Sequence, residues 1–159
     1  MESYKHQFAK QTVARWLADP EQRLVHFENA SGGGPYGGGV FLEYPFCLDS
    51  DGELHGSTPW HEFGSRHSPL LENDVPTYQQ CLDAKLLPIC IFDIAIHHKG
   101  LISHAFEIVH RHDVTDVKRS YIDRIFQEGS LERVYGLSAD WVLSQVQMPR
   151  KLKTLWQIA

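Results

Sequence analysis

The sequence predicts an α/β fold in which a central mixed sheet of four to five strands is flanked by helices. β-branched and aromatic residues concentrate in the middle of the chain, over residues 88–109, which is typical of strands. Segments with apolar residues at helical spacing lie before and after that region. A length of 159 residues suits one domain, so we assign residues 1–159 to one unit. Frequent turn signals predict an irregular insertion at about 47–76.

The first helix is predicted over residues 3–18. Its apolar residues, Phe8, Val13, Trp16 and Leu17, recur at helical spacing, and Ser3 is a candidate N-cap. A strand is predicted over residues 40–46, with Glu43 on the face opposite that of its apolar neighbours.

The central stretch, residues 88–114, predicts two strands joined by a tight turn. A three-residue loop over 98–100 would pair His97 with Leu101 and Asp93 with Ala105. In that register Asp93 and Glu107 share one face, one diagonal step apart, about 7–8 Å between backbones. A two-residue loop would place the two carboxylates on opposite faces. Two carboxylates so placed can share a divalent cation, although two acids on a half-exposed sheet give the same pattern.

After the hairpin, Thr115 is predicted to cap a helix of about 13 residues. The side chains that spacing turns inward are Val117, Tyr121, Ile125 and Phe126. A strand over 131–135 would then run parallel to the second hairpin strand, because a crossover through a helix gives a parallel pair. The tail from residue 148 fits either a helix docked on the core or, through its basic residues, a phosphate contact.

Composition limits the function classes. A formal charge of -5 argues against a broadly basic nucleic-acid-binding surface, but it leaves room for a local basic groove. No apolar run reaches transmembrane length, and three scattered cysteines suit a reducing compartment, so we expect a cytoplasmic protein without membrane association. Ten histidines, among them His97, His98, His110 and His112, raise the alternative of a zinc-stabilised domain, but they lack the spacing of recognised zinc motifs.

The order of the motifs resembles that of the PD-(D/E)XK nuclease superfamily. His6, Ala9 and Lys10 form H-x-x-A-K in the first helix, and Glu43 lies in the next strand. Thirteen residues separate Asp93 from the E-I-V of residues 107–109. The run 107–114, followed by a lysine-bearing helix, is most similar to the competence CoiA nuclease-like branch. The likeness covers residues 1–46 and 88–135.

This resemblance implies a restriction-endonuclease-like fold and hydrolysis of phosphodiester bonds in DNA. It implies Mg²⁺ or Mn²⁺ held by Asp93 and Glu107, with Glu43 or a group of the first helix as a further ligand. The chain departs from the pattern at Val109, where the family has its catalytic lysine. The candidates to replace that lysine are Lys10, Lys99 and His110, and of these we favour Lys10. The alternative is a catalytically inactive nuclease-fold module that binds nucleic acid or a protein partner.

Overall fold

The computed structural model describes residues 3–18, 40–55, 78–98, 101–129 and 131–158. The helices in these ranges are α1 (Tyr4–Ala18), α2 (Tyr78–Asp83), α3 (Asp116–Gln127) and α4 (Ala139–Ser144). The strands are β1 (Val40–Leu48), β2 (Leu54–His55), β3 (Leu87–His98), β4 (Leu101–Val109), β5 (Arg133–Ser138) and β6 (Thr154–Ile158).

The described strands form one mixed sheet in the order β2-β1-β3-β4-β5-β6. Only β4 and β5 are parallel, and they are connected through α3, as the sequence predicts. The other neighbours are antiparallel. The predicted α/β fold with a central mixed sheet flanked by helices is confirmed: five strands have five or more residues, and β2 adds a two-residue edge.

Helices cover both faces of the sheet, so the chain has two apolar cores. The α1-side core joins α1 and α4 to one face, and its members include Ala9, Val13, Leu17, Leu42, Ile94, Ile96, Phe106, Ile108, Leu137 and Val142. The α3-side core joins α2 and α3 to the other face, and its members include Phe41, Tyr44, Phe46, Cys81, Phe92, Ala95, Ala105, Ile122, Ile125 and Val134. Each fully buried Ile or Phe among them contributes roughly 1.5–3 kcal/mol of transfer free energy.

The predicted register of the β3–β4 hairpin is wrong. Leu101 pairs with His98 rather than His97, and Ala105 pairs with Ala95 rather than Asp93. The predicted loop residues 99 and 100 lie outside the described residues. A two-residue connection by itself would place Asp93 and Glu107 on opposite faces of the sheet. A bulge changes the register so that the two residues lie opposite each other on neighbouring strands.

That bulge lies on β4, where Ser103 is the extra residue between the partners of Ile96 and His97. Its hydroxyl donates to Ile96 O at 3.3 Å and contacts His104 Nδ1 at 2.8 Å, which satisfies polar atoms in a buried setting. The extra residue shifts the register so that Ile94 pairs with Phe106.

Glu43 breaks the regular alternation of β1 and β3. Its φ of 53° is left-handed, which a non-glycine residue rarely adopts. Residues two apart on a regular strand share a face, yet Leu42 belongs to the α1-side core and Tyr44 to the α3-side core. On β3, Ile94 and Phe92 separate in the same way around Asp93. Phe92 and Ile94 therefore lie on opposite faces of the sheet, where strict alternation along β3 predicts a shared face.

The helix caps are confirmed: Thr115 accepts from Lys118 N at 3.2 Å, and Ser3 Oγ accepts from His6 N at 3.2 Å. Two predicted inward residues are exposed, Val117 at 65% and Phe8 at 54%, because α3 and α1 bury the neighbouring stripes.

Two predicted segments also differ. The tail is not the predicted docked helix, because Thr154–Ile158 extends the sheet as β6. The predicted insertion is regular at its start, where β1 runs to Leu48 and turns into β2. Its remainder from residue 56 lies outside the described residues.

Candidate active site

The three acidic residues singled out by the sequence lie on adjacent strands. Ile94 pairs with Leu42 on one side and with Phe106 on the other. The neighbouring row of opposed residues crosses the sheet through Glu43, Asp93 and Glu107. The row continues through Gly136, the partner of Glu107, and Trp156, the partner of Gly136. The sheet register therefore brings together residues from three separate parts of the chain.

Asp93 is buried, with 8% of its surface exposed. Its Oδ2 accepts from Ile108 N at 2.7 Å and lies 3.2 Å from His6 Nε2. Burial is the largest influence and acts to raise the pKa of Asp93, but the His6 hydrogen bond, the His6 charge and the Ile108 amide outweigh it. The pKa of Asp93 is therefore lowered, and the carboxylate is ionised in a fixed orientation.

The pKa of Glu107 is shifted in the opposite direction. It is 4% exposed, and its Oε1 lies 2.6 Å from Lys118 Nζ. Burial, and then the charge of Asp93, raise the pKa of Glu107 to about 8 despite the attraction of Lys118. The Asp93–Glu107 pair therefore retains about one proton at neutral pH, as expected where two carboxylates share a buried site.

Lys118 is the site residue that sequence reasoning did not assign. Its Nζ donates to Ile91 O at 2.8 Å in addition to its ion pair with Glu107. Burial acts to lower the pKa of Lys118, but Glu107 outweighs it and the pKa is raised. A usable signal was present: Thr115 caps α3 and so fixes Lys118 in the first turn, directly after the strand that carries Glu107.

The expected substitute lysine, Lys10, occupies a different position in the row. It is buried at 4% exposure, and its Nζ forms an ion pair with Glu43 Oε1. The left-handed backbone of Glu43 allows its carboxylate to lie beside α1. The structure thus brings Lys10 to Glu43 and Lys118 to Glu107.

No group of three or more His, Cys, Asp or Glu side chains arranged to hold a metal ion occurs in the described parts of the chain. Glu43 is therefore not assembled with Asp93 and Glu107 into a three-ligand group, and His110 and His112 do not form a zinc site there. The side chains of His97 and His98 lie outside what the structure describes. Asp93 and Glu107 do supply the oxygen donors that Mg²⁺ uses, since it is commonly bound by one or two carboxylates, with water and substrate phosphate completing its shell.

An open cleft of about 450 Å³ leads to Asp93. Its lining consists of Ser3, His6, Glu43, Asp93 and the turn His110, Arg111 and His112. Glu107 and Lys118 do not line it. The cleft therefore has the buried Asp93 at its floor and the more exposed turn of His110, Arg111 and His112 at its rim.

None of the described helices is long and apolar enough to cross a membrane. In comparisons with protein-family models, with curated proteins and with solved structures, no match to this chain is found.

Proposed function

We propose that the protein is a metal-dependent nuclease that hydrolyses phosphodiester bonds in DNA. The proposal includes a restriction-endonuclease-like fold of the PD-(D/E)XK superfamily and its CoiA nuclease-like branch. The observation that carries it is the buried Asp93–Glu107 pair on neighbouring strands, with an ammonium group 2.6 Å from one carboxylate. Two buried acids and a lysine are costly to keep, and such arrangements are typical of functional sites.

Asp93 and Glu107 are the residues that would hold Mg²⁺ or Mn²⁺. When bound, the cation polarises a phosphate oxygen and stabilises negative charge in the transition state. Asp93 is prepared for this role because Ile108 N and His6 hold its carboxylate in one orientation. Glu107 must release its proton first, since its pKa is about 8.

Lys118 supplies the charge that Val109 cannot. Its ammonium group lies at Glu107 and is held in place by Ile91 O, so it is preorganised for negative charge developing on a phosphate. We therefore assign to Lys118 the role that the sequence led us to expect of Lys10. Lys10 in turn neutralises Glu43 at the neighbouring position of the row.

One observation favours the alternative of a catalytically inactive module that binds nucleic acid or a protein partner. Each carboxylate of the row already faces a cationic or titratable partner: Lys10 for Glu43, His6 for Asp93 and Lys118 for Glu107. Such a row has little unbalanced negative charge to attract a cation.

The test is a Mg²⁺ and Mn²⁺ titration of cleavage on single-stranded and double-stranded DNA, with RNA as a third substrate. We expect metal-dependent cutting of DNA by the wild type. Glu107→Ala and Lys118→Met should each cut at least about 10²-fold more slowly, because each loses a group that stabilises charge at the reacting phosphate. Lys151→Met, which removes an exposed lysine elsewhere, is the matched control and should cut like the wild type.

Cutting by Lys118→Met at the wild-type rate would contradict the role of Lys118. A folded wild type that binds DNA, cuts no substrate with either metal and retains its affinity in Glu107→Ala would establish the binding module instead.

A further inference from the structure

The turn at the rim of the cleft has a strained backbone. His112 N donates to His110 O at 2.9 Å, and Arg111 between them has a φ of 69°. An L-residue in this region costs roughly 1–2 kcal/mol, and such strain is often found at binding sites. Glu43, with a φ of 53°, lines the same cleft. Glycine would form this turn more easily, so an arginine here requires a reason other than turn formation.

The acidic groups near this turn are engaged elsewhere. Asp113, the nearest in sequence, accepts from Val114 N at 2.7 Å and from Trp156 Nε1 at 2.9 Å through the same oxygen. Asp140 is paired with Lys5 at 3.1 Å.

The two carboxylates that line the cleft, Glu43 and Asp93, have their own partners, as described above. In the described part of the chain, no ion pair or side-chain hydrogen bond involves Arg111 or His112. The rim therefore presents an arginine that pairs with no carboxylate of the described residues, in a protein whose formal net charge is -5.

We infer that Arg111, together with His112, binds a backbone phosphate of a single-stranded nucleic acid whose neighbouring phosphate lies at Asp93. This inference rests on the proposed function. A guanidinium group presents paired N–H donors that match a phosphate, and it is always charged. His112 adds a further donor from the next position on the same rim.

The shape of the cleft selects a single strand. Its volume of about 450 Å³ falls in the range of small-molecule pockets. Asp93 at its floor is only 8% exposed, so a phosphate must enter the cleft to reach it. A paired duplex keeps its backbone on a wide, stiff cylinder, whereas a single strand can bend one phosphate inward.

The test is fluorescence anisotropy with a labelled single-stranded DNA of about 12 nucleotides. Ca²⁺ replaces Mg²⁺ and Mn²⁺, because it binds the same oxygen ligands and keeps a cation between Asp93 and the phosphate. We expect the wild type to bind it and Arg111→Gln to bind about tenfold more weakly. The slope of log K against log salt concentration should fall by about 0.7 in magnitude, as for the loss of one phosphate contact on a single strand. Arg15→Gln, on the exposed outer face of α1, is the matched control and should leave both quantities unchanged.

Arg111→Gly separates binding from folding. It removes the guanidinium group but suits the left-handed backbone, so its unfolding temperature should equal or exceed that of the wild type while its affinity falls as in Arg111→Gln. A second labelled strand with a 5′-phosphate distinguishes a terminal phosphate from an internal one. A preference that Arg111→Gln removes would identify the terminal group as the ligand.

The outcomes separate this inference from the proposed function. Wild-type affinity in Arg111→Gln, or duplex bound as tightly as single strand, would overturn the inference even if Glu107→Ala abolishes cutting. Weakened binding in both Arg111 variants would support it even if the wild type cuts no substrate. A wild type that binds no single-stranded DNA would overturn it outright.

Discussion

Glu107 makes the stability of the protein depend on pH in a way that can be calculated. Its pKa is about 8 in the folded protein against an ordinary value of 4.5. The folded protein therefore holds a proton that the unfolded chain releases. The stabilisation is fully present below about pH 4.5 and is lost as the pH rises through about 8. Linkage gives a loss of about 3 kcal/mol in the free energy of unfolding between about pH 5.5 and pH 8.5.

Glu107→Gln isolates this effect. Glutamine has nearly the same shape but does not ionise, so the variant should match the wild type below about pH 4.5. Its advantage should grow by about 3 kcal/mol between pH 5.5 and pH 8.5. The assay is urea unfolding across this range in EDTA, with the two profiles subtracted so that the histidines cancel. Asp93 and Lys118 titrate outside this window. The lowered pKa of Asp93 contributes stability that is lost only as the pH falls below its ordinary value of 3.8. The raised pKa of Lys118 affects stability only above its ordinary value of 10.5. Parallel profiles, differing by less than about 0.5 kcal/mol in their pH dependence, would refute the reasoning.

Two further substitutions test how the site is built. Gly136→Ala should lower the free energy of unfolding by about 1–3 kcal/mol, because a Cβ there would lie 2.3 Å from the Trp156 ring. Urea unfolding measures this loss, which should shrink when Trp156→Val is added. Lys118→Met should lower the free energy of unfolding by about 1–3 kcal/mol, because Ile91 O and Glu107 each lose a charged partner. An unchanged midpoint of urea unfolding would show that neither contact stabilises the fold.

The acidic row was partly predictable. The spacing of Asp93 and Glu107 in an apolar hairpin identified both residues, and the caps Ser3 and Thr115 placed the starts of two helices. These features are local, since alternation and capping depend on residues a few positions apart.

The register was not predictable in the same way. A bulge at Ser103 changes which residues oppose each other, and it depends on buried polar contacts that no local rule specifies. The C-terminal strand was missed for a related reason. A short segment whose residues alternate only between half-buried and exposed becomes a strand because β5 offers it an unpaired edge.

The lysine assignment shows most clearly what each level determines. The sequence by itself determined the α/β fold class, the helix starts and the residue types required for a two-carboxylate site. Only the tertiary structure decided that Lys118, rather than Lys10, lies at Glu107, because both lysines are on helices and each reaches whichever strand its helix packs against. The pKa of about 8 at Glu107 also arises there, since burial and the charge of Asp93 act on it only once the sheet has assembled.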